Sequence, residues 1–190
     1  DGQNCVWSGD NVAVEEGMLT LAFTRWAGDQ RDYSCGEIQS LNVYGYGTYE
    51  ARYRTAAGSG LNAAFFTYIG PYHGKPHDEI DFEVLARDTS SVSLNTYVDG
   101  TPMNGKRVAL PKPADDAFLT YSLHQTPPEA VLPTNGQKIY ASFWGSDSFP
   151  DWMGRFVEPE TDLKMEVDWI AFTAQGDACQ FPSSVVCKNE

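Results

Sequence analysis

The sequence predicts an all-β fold, an antiparallel sandwich or barrel, in a single domain. Large apolar residues alternate with small or polar ones, as in strands with one buried face, over residues 19–24, 49–54 and 163–169. Turn signals such as Asn135-Gly136 separate these runs, and no stretch of a dozen residues has a helical apolar stripe. Since no linker or repeat interrupts the 190 residues, we assign residues 1–190 to one domain with one core.

Five prolines between Pro111 and Pro133 break the strand pattern. Proline has no N–H to donate to a β-ladder, so it is unfavourable in a central strand. We therefore interpret residues 111–133 as a loop.

The charge of the chain excludes several classes of partner. Acidic residues outnumber basic ones 26 to 13, which gives a formal net charge of −13. Binding to nucleic acid or to an anionic membrane needs clusters of lysine and arginine, which the sequence lacks. A neutral polysaccharide meets no such repulsion, so we expect a neutral partner, no nucleic acid, no membrane and a monomeric protein.

Four cysteines form two separated pairs without a CxxC motif: Cys5, Cys35, Cys179 and Cys187. An even number in this pattern is typical of two disulfides and of an oxidising compartment. The sequence contains no signal peptide and no transmembrane run, so we expect a mature, secreted extracellular form.

The most informative segment is residues 77–85, His-Asp-Glu-Ile-Asp-Phe-Glu-Val-Leu. As a strand, it would direct its apolar residues into the core and Glu79, Asp81 and Glu83 to the opposite face. Like charges placed in this way repel each other and raise the pKa of at least one carboxyl group. A strand with a purely structural role gains nothing from this repulsion. Retaining glycoside hydrolysis needs such an arrangement, because one carboxyl group attacks the anomeric carbon and another exchanges a proton.

A solvated strand face or a calcium site would also account for three carboxylates. The neighbouring residues favour catalysis, because sugar rings pack on aromatic planes and their hydroxyls bind amides and carboxylates. Phe66 and Tyr68 share parity on the preceding strand, and Asn95 and Tyr97 on the following one. Trp144 and Trp152 lie in a segment that we interpret as a loop, flanked by Gly, Ser and Asp.

In these residues the chain resembles glycoside hydrolase family 16, and in particular its bacterial lichenase (endo-β-1,3-1,4-glucanase) branch. The similar segments extend over most of the chain and are residues 44–50, 65–68, 78–83, 151–154 and 165–169. The resemblance implies a jelly-roll sandwich with a substrate cleft on its concave sheet.

The resemblance also implies roles for individual residues. Glu79 would be the nucleophile, Asp81 its assisting partner and Glu83 the general acid/base. The residues implied to contact sugars are Glu37, Gln39, Phe66, Tyr68, His77, Asn95, Tyr97, Trp144 and Trp152. We interpret His73 and His77 as residues of the cleft edge, since no third ligand accompanies them at the spacing of a metal site.

The implied disulfides are Cys5–Cys35 and Cys179–Cys187. The chemistry requires no cofactor, although the resemblance allows a structural calcium ion. Gly17, through its carbonyl group, and Asp168 match two of the calcium-ligand positions.

Some details separate the chain from other members of the family. No extra residue stands between Phe82 and Glu83, which is typical of lichenases and xyloglucan transglycosylases rather than of laminarinases. His77 occupies the position of a lichenase tryptophan, as it does in the xyloglucan enzymes, and Gln39 replaces an arginine.

Two segments of the family are missing from the sequence. The resemblance implies an N-terminal strand before Cys5 and two strands between Leu123 and His124. We expect the natural chain to contain the two internal strands, the alternative being a true deletion. An intact mass that matches 190 residues would support the deletion.

These observations predict a retaining endo-β-glucanase that hydrolyses β-1,3-1,4-glucan. Within the same family, the alternatives are a xyloglucan-type transglycosylase, an acidic exopolysaccharide depolymerase and a laminarinase. A glucan-binding module without turnover is the alternative from another class.

Overall fold

The computed structural model describes residues 2–28, 30–103, 105–125 and 132–188. These residues form thirteen strands: β1 (Cys5–Trp7), β2 (Val12–Glu15), β3 (Met18–Arg25), β4 (Tyr33–Gln39), β5 (Gly47–Thr55), β6 (Leu61–Ile69), β7 (Asp78–Leu85), β8 (Ser91–Val98), β9 (Thr101–Pro102), β10 (Lys106–Ala109), β11 (Leu119–Gln125), β12 (Lys138–Gly145) and β13 (Leu163–Ala174). They also form two single-turn α-helices, α1 (Pro150–Met153) and α2 (Val185–Lys188), and short 3-10 turns at Gly9–Asn11 and Pro71–His73. Both α-helices of the described residues are single turns, too short to span a membrane.

The strands form two layers that share β4. One layer has the order β10-β8-β7-β6-β12-β4, and the other continues as β4-β3-β13-β5-β11. Neighbouring strands on this path are antiparallel, whereas the short β1 pairs with β4 in parallel. The predicted all-β antiparallel sandwich is confirmed.

Aromatic side chains from both layers fill the core between them. Phe65 on β6 and Phe23 on β3 are fully buried. Across the layers, Phe82 on β7 packs edge-on against Tyr121 on β11 at 6.1 Å, and Tyr121 stacks on Tyr53 at 4.2 Å. Burial of large rings contributes much of the stability of the core. The contact of Phe82 with Tyr121 packs β7 against the opposite layer.

The loop prediction for residues 111–133 is wrong in its middle, because β11 spans Leu119–Gln125. The prolines lie on either side of this strand and not within it, and β11 is the last strand of its layer. Trp144 also differs from the prediction, because it lies on β12 and not in a loop. The loop prediction is also wrong for Trp152, which lies on the single-turn helix α1.

The junction between Leu123 and His124 lies inside β11, where these residues pair with Tyr49 and Thr48 of β5. The strand continues through the junction without a break in register. That the natural chain contains two further strands at this junction stays a prediction.

Two disulfides fasten the ends of the described chain. The Cys5–Cys35 bond joins β1 to β4, and the Cys179–Cys187 bond closes the C-terminal segment. Both pairings are those that the resemblance implied. The C-terminal segment is also held by the buried carboxylate of Glu50, which accepts hydrogen bonds from Ser184 Oγ at 2.6 Å and from the Val185 backbone N–H at 2.8 Å.

Candidate active site

Strand β7 separates its apolar and acidic residues as the alternation predicts. Ile80 and Val84 are buried in the core, and Glu79, Asp81 and Glu83 line a cleft on the other side of the sheet. The register with β6 is unbroken from Asp78 to Leu85. The strand is therefore regular, and its three carboxyl groups lie in one row on what we call the cleft face, the outer face of β6, β7, β8 and β12.

Asp81 is the central carboxyl group of this row and is only 6% exposed. Its burial, together with the charges of Glu79 and Glu83 and a hydrogen bond with Glu79, raises the pKa of Asp81 to about 10. Asp81 therefore keeps its proton at neutral pH. It can donate that proton in a hydrogen bond to the carboxylate of Glu79.

Glu83 is poised to exchange a proton near neutral pH. Burial raises its pKa, a hydrogen bond from Asn62 lowers it, the charge of Glu79 raises it, and the result is about 7. The Asn62 Nδ2 atom donates to Glu83 Oε1 at 2.8 Å. A carboxyl group with this pKa can act as an acid in one step and as a base in the next.

His77 contacts the first carboxylate of the row. Its Nε2 atom lies 2.6 Å from Glu79 Oε2, at hydrogen-bonding distance. The imidazole is held in place by Tyr97, on which it stacks at 4.8 Å, and by Tyr68, which it meets edge-on at 5.3 Å. The resemblance implied a sugar contact at His77, and the structure adds a direct contact with the predicted nucleophile.

Three adjoining cavities of about 610, 270 and 530 Å³ follow the cleft face, and Glu79 lines all three. Eight of the nine predicted sugar-contacting residues line at least one of them: Glu37, Gln39, Phe66, Tyr68, Asn95, Tyr97, Trp144 and Trp152. The ninth, His77, lies beside Glu79 without lining any of the three. The structure thus brings the predicted residues together at one cleft.

Glu37 reaches the same cleft from β4. It pairs across the sheet with Ser142, which pairs with Ala64, and Ala64 pairs with Glu83, so the four residues share one face. Burial raises the pKa of Glu37 to about 7. A partly protonated carboxyl group can donate to a sugar hydroxyl as well as accept from one.

Several residues that line the cleft were not predicted from the sequence to belong to the site. They are Gln3, Trp7, Tyr72, Ser93, Lys106, Arg107, Tyr140, Ser142 and Phe149. Tyr140 and Ser142 could have been found, because they share parity with Trp144 on β12. Trp7 and Lys106 lie on short strands far from β7 in the chain, and only the topology brings them to the site.

The calcium-ligand positions lie away from this cleft. Gly17 is in the turn before β3, whose Leu19 pairs with Val167 beside Asp168. The Asp168 carboxylate forms an ion pair with Arg52. Within the described residues no group of three or more His, Cys, Asp or Glu could hold a metal ion. Calcium also binds backbone carbonyl groups, such as that of Gly17, which such a group does not include. Calcium binding stays a prediction, to be tested by comparing Tm with added calcium and with a chelator.

Comparisons with known proteins agree with the geometry of the site. The sequence matches glycosyl hydrolases family 16 over residues 1–131. The endo-1,3-1,4-beta-glycanase ExoK of Rhizobium meliloti (strain 1021) is 45% identical over an alignment of 204 residues, which covers 99% of this chain and 76% of that protein. The beta-glucanase of Bacillus subtilis (strain 168) is 35% identical, with 90% of this chain and 75% of that protein covered.

Solved structures show the same relationship. The beta-glucanase of Bacillus licheniformis superposes with a TM-score of 0.86 at 30% identity, covering 92% of this chain and 87% of that chain. A prokaryotic beta-1,3-1,4-glucanase (lichenase) from a mouse hindgut metagenome superposes with a TM-score of 0.85 at 28% identity. The match covers 90% of this chain and 87% of that chain. The family model matches most of the chain, and the two relatives named above are 45% and 35% identical to it. The chain therefore belongs to glycosyl hydrolases family 16 and is a glycoside hydrolase.

Proposed function

We propose that this glycoside hydrolase cleaves internal bonds of β-1,3-1,4-glucan, such as lichenan or cereal β-glucan, with retention of anomeric configuration. The observation that carries the proposal is the row of three carboxyl groups on one face of β7, which line the cleft side by side. Burial raises the pKa values of Asp81 and Glu83 within this row. The open cleft on either side of the row supports binding within a polymer. The relatives named above, an endo-1,3-1,4-beta-glycanase and beta-glucanases, support the choice of substrate.

In the first step, a carboxylate oxygen of Glu79 attacks the anomeric carbon and the glycosidic C–O bond breaks. Glu83 gives its proton to the departing oxygen, which leaves a glycosyl ester on Glu79. Asp81 donates a hydrogen bond to Glu79 throughout, because it keeps its own proton. This bond orients the nucleophile and later stabilises it as the leaving carboxylate.

In the second step, the Glu83 carboxylate takes a proton from water as the water oxygen attacks the anomeric carbon. The ester bond breaks, Glu79 is released, and Glu83 is protonated again for the next cycle. Two inversions at one carbon give net retention. The role of Glu83 in both steps is consistent with a pKa of about 7.

The observations do not favour the other activities weighed for this fold. A xyloglucan transglycosylase is suggested only by His77, and the acidic exopolysaccharide depolymerase and laminarinase only by membership of the family. A binding module without turnover gains nothing from the tuned carboxyl groups of β7. We also infer secretion, which the two disulfides support.

Release of reducing ends from β-1,3-1,4-glucan tests the proposal, with Glu79→Gln as the inactive variant. Glu15→Gln is the matched control, because Glu15 is an exposed residue of β2. We expect equal release by the native and Glu15→Gln proteins and none by Glu79→Gln. Native protein that releases no reducing ends from this glucan would overturn the proposed function.

A further inference from the structure

A continuous track of aromatic rings leads away from the carboxyl groups along the cleft. Phe66 stacks on Tyr140 at 4.9 Å, and Tyr140 meets Tyr68 edge-on at 5.9 Å. Tyr68 in turn meets His73 at 6.0 Å, and His73 meets Tyr72 at 5.4 Å. The resemblance assigns sugar contacts to Phe66 and Tyr68, but the track continues beyond them and ends at Tyr72.

Tyr72 contributes little to the fold, since it is 94% exposed. A single exposed aromatic residue is unremarkable on a protein surface. Tyr72, however, lines the third cavity of the cleft, and so does Trp7, which is 44% exposed. Trp7 also lines the second cavity, beside Asp81 and Glu83. The two exposed rings therefore extend the apolar surface of the site outwards, from Trp7 next to the carboxyl groups to Tyr72.

The backbone under Tyr72 is well defined. Tyr72 is the middle residue of a 3-10 turn, in which the His73 N–H donates to Gly70 O at 2.7 Å and the Gly74 N–H to Pro71 O at 2.9 Å. Gly70 lies so close to the hydroxyl group of Tyr68 that a Cβ atom there would clash. The backbone of the turn is therefore fixed against the track, so binding at Tyr72 costs little backbone freedom.

We propose that Tyr72 and Trp7 form an outlying subsite that binds one further glucosyl residue of the polymer. This inference rests on the proposed function, because it takes the same β-glucan chain as ligand. The C–H face of a glucose ring packs on an aromatic plane, and Gln3 and Gln39 in the same cavity supply amide groups for its hydroxyls. The subsite makes affinity depend on the length of the sugar chain.

The test compares native, Tyr72→Ala and Tyr72→Phe proteins on β-1,3-1,4-glucan and on its oligosaccharides of increasing length. Tyr72→Phe keeps the ring, and Val14→Ala is a control that removes side chain from another exposed residue, 71% exposed on β2. We expect Tyr72→Ala to raise KM for the polymer and for long oligosaccharides about three- to tenfold. The effect shrinks as the substrate shortens, and Tyr72→Phe and Val14→Ala behave as the native protein. Equal effects of Tyr72→Ala at all lengths, or no effect at any length, would overturn the subsite.

Binding measured without turnover separates this inference from the proposed function. Electrophoretic retardation in a gel containing β-1,3-1,4-glucan is measured for Glu79→Gln with and without Tyr72→Ala. Weaker retardation of the double variant supports the subsite even where the native protein releases no reducing ends. Equal retardation of the two variants would contradict it, whatever the activity of the native protein.

Discussion

Asn62 Nδ2 donates a hydrogen bond to Glu83 Oε1 at 2.8 Å, and Asn62 is fully buried beneath the cleft. With one carboxyl oxygen occupied by this N–H, the proton of Glu83 is confined to the other oxygen. The hydrogen bond also lowers the pKa of Glu83 against the larger effect of burial. Asn62 is thus a positioning residue for the proposed acid/base.

Asn62→Leu should shift the alkaline limb of the kcat/KM profile to higher pH, because the Glu83 pKa rises when the hydrogen bond is lost. We also expect kcat to fall about tenfold, since the proton is less well placed. The groups facing Glu83 from other strands, Glu37 on β4 and Arg107 on β10, are unchanged in this variant. A lower kcat with an unmoved pH profile would mean that Asn62 is only structural.

His77→Phe should lower kcat about tenfold with little change in KM. The substitution removes the contact of the imidazole with Glu79 but keeps a ring between Tyr68 and Tyr97. His77→Gln supplies an amide donor and should recover part of the loss. Steady-state kinetics on β-1,3-1,4-glucan measure both effects, and an unchanged kcat in His77→Phe would show that the contact does not orient the nucleophile.

Glu83→Gln should raise the free energy of unfolding at pH 8 while abolishing hydrolysis. The pKa of Glu83 is raised from 4.5 to about 7 on folding, so between these values the folded state binds more protons than the unfolded state. Stability conferred through this group therefore falls as the pH rises from 4.5 to 7, and it stays low above that range. The neutral amide of Glu83→Gln avoids the burial of a charge. We therefore expect the free energy of unfolding of the variant to exceed that of the native protein by about 1–3 kcal/mol at pH 8.

Urea unfolding of the native protein and of Glu83→Gln, at pH 8 and again at pH 4, checks this prediction. The difference between them should shrink at pH 4, because Glu83 is then protonated in the folded state. A variant that is less stable than the native protein at pH 8 would contradict it.

Glu50→Gln should lower the free energy of unfolding by about 1–3 kcal/mol without changing kcat. The buried carboxylate accepts hydrogen bonds from Ser184 and Val185 and so fastens the C-terminal segment far from the cleft. Urea unfolding measures the loss, with the exposed Glu15→Gln variant as the control. A reduced kcat in the folded Glu50→Gln protein would show that the C-terminal segment influences the site.

The acidic row of β7 could be predicted from the sequence because a strand has a period of two, which decides which face each residue takes. The same rule could have identified Asn62, which shares parity with Phe66 on β6. It could not predict the hydrogen bonds of Asn62 or His77, since these depend on side-chain rotamers. Trp7 was missed because it comes from a distant part of the chain, and Tyr72 because it lies in the turn Pro71–His73, where the alternation of a strand does not apply.

The proline-rich segment shows a limit of local reasoning. Pro113 and Pro133 predict irregular backbone, yet β11 forms between them because its partner β5 supplies the ladder and Tyr121 is buried in the core. Tertiary pairing outweighs composition here, as it often does for edge strands.

Trapping the covalent intermediate tests the central claim most directly. The probe is an oligosaccharide of β-1,3-1,4-glucan that carries fluorine at C2 of the reacting sugar and a good leaving group. The fluorine slows both steps, and the leaving group restores the rate of the first, so that the ester accumulates. Mass spectrometry of the digested protein then locates the attached sugar. We predict one sugar ester on Glu79, whereas a label on Glu83 or on Asp81, or products of inverted configuration, would contradict the assignment.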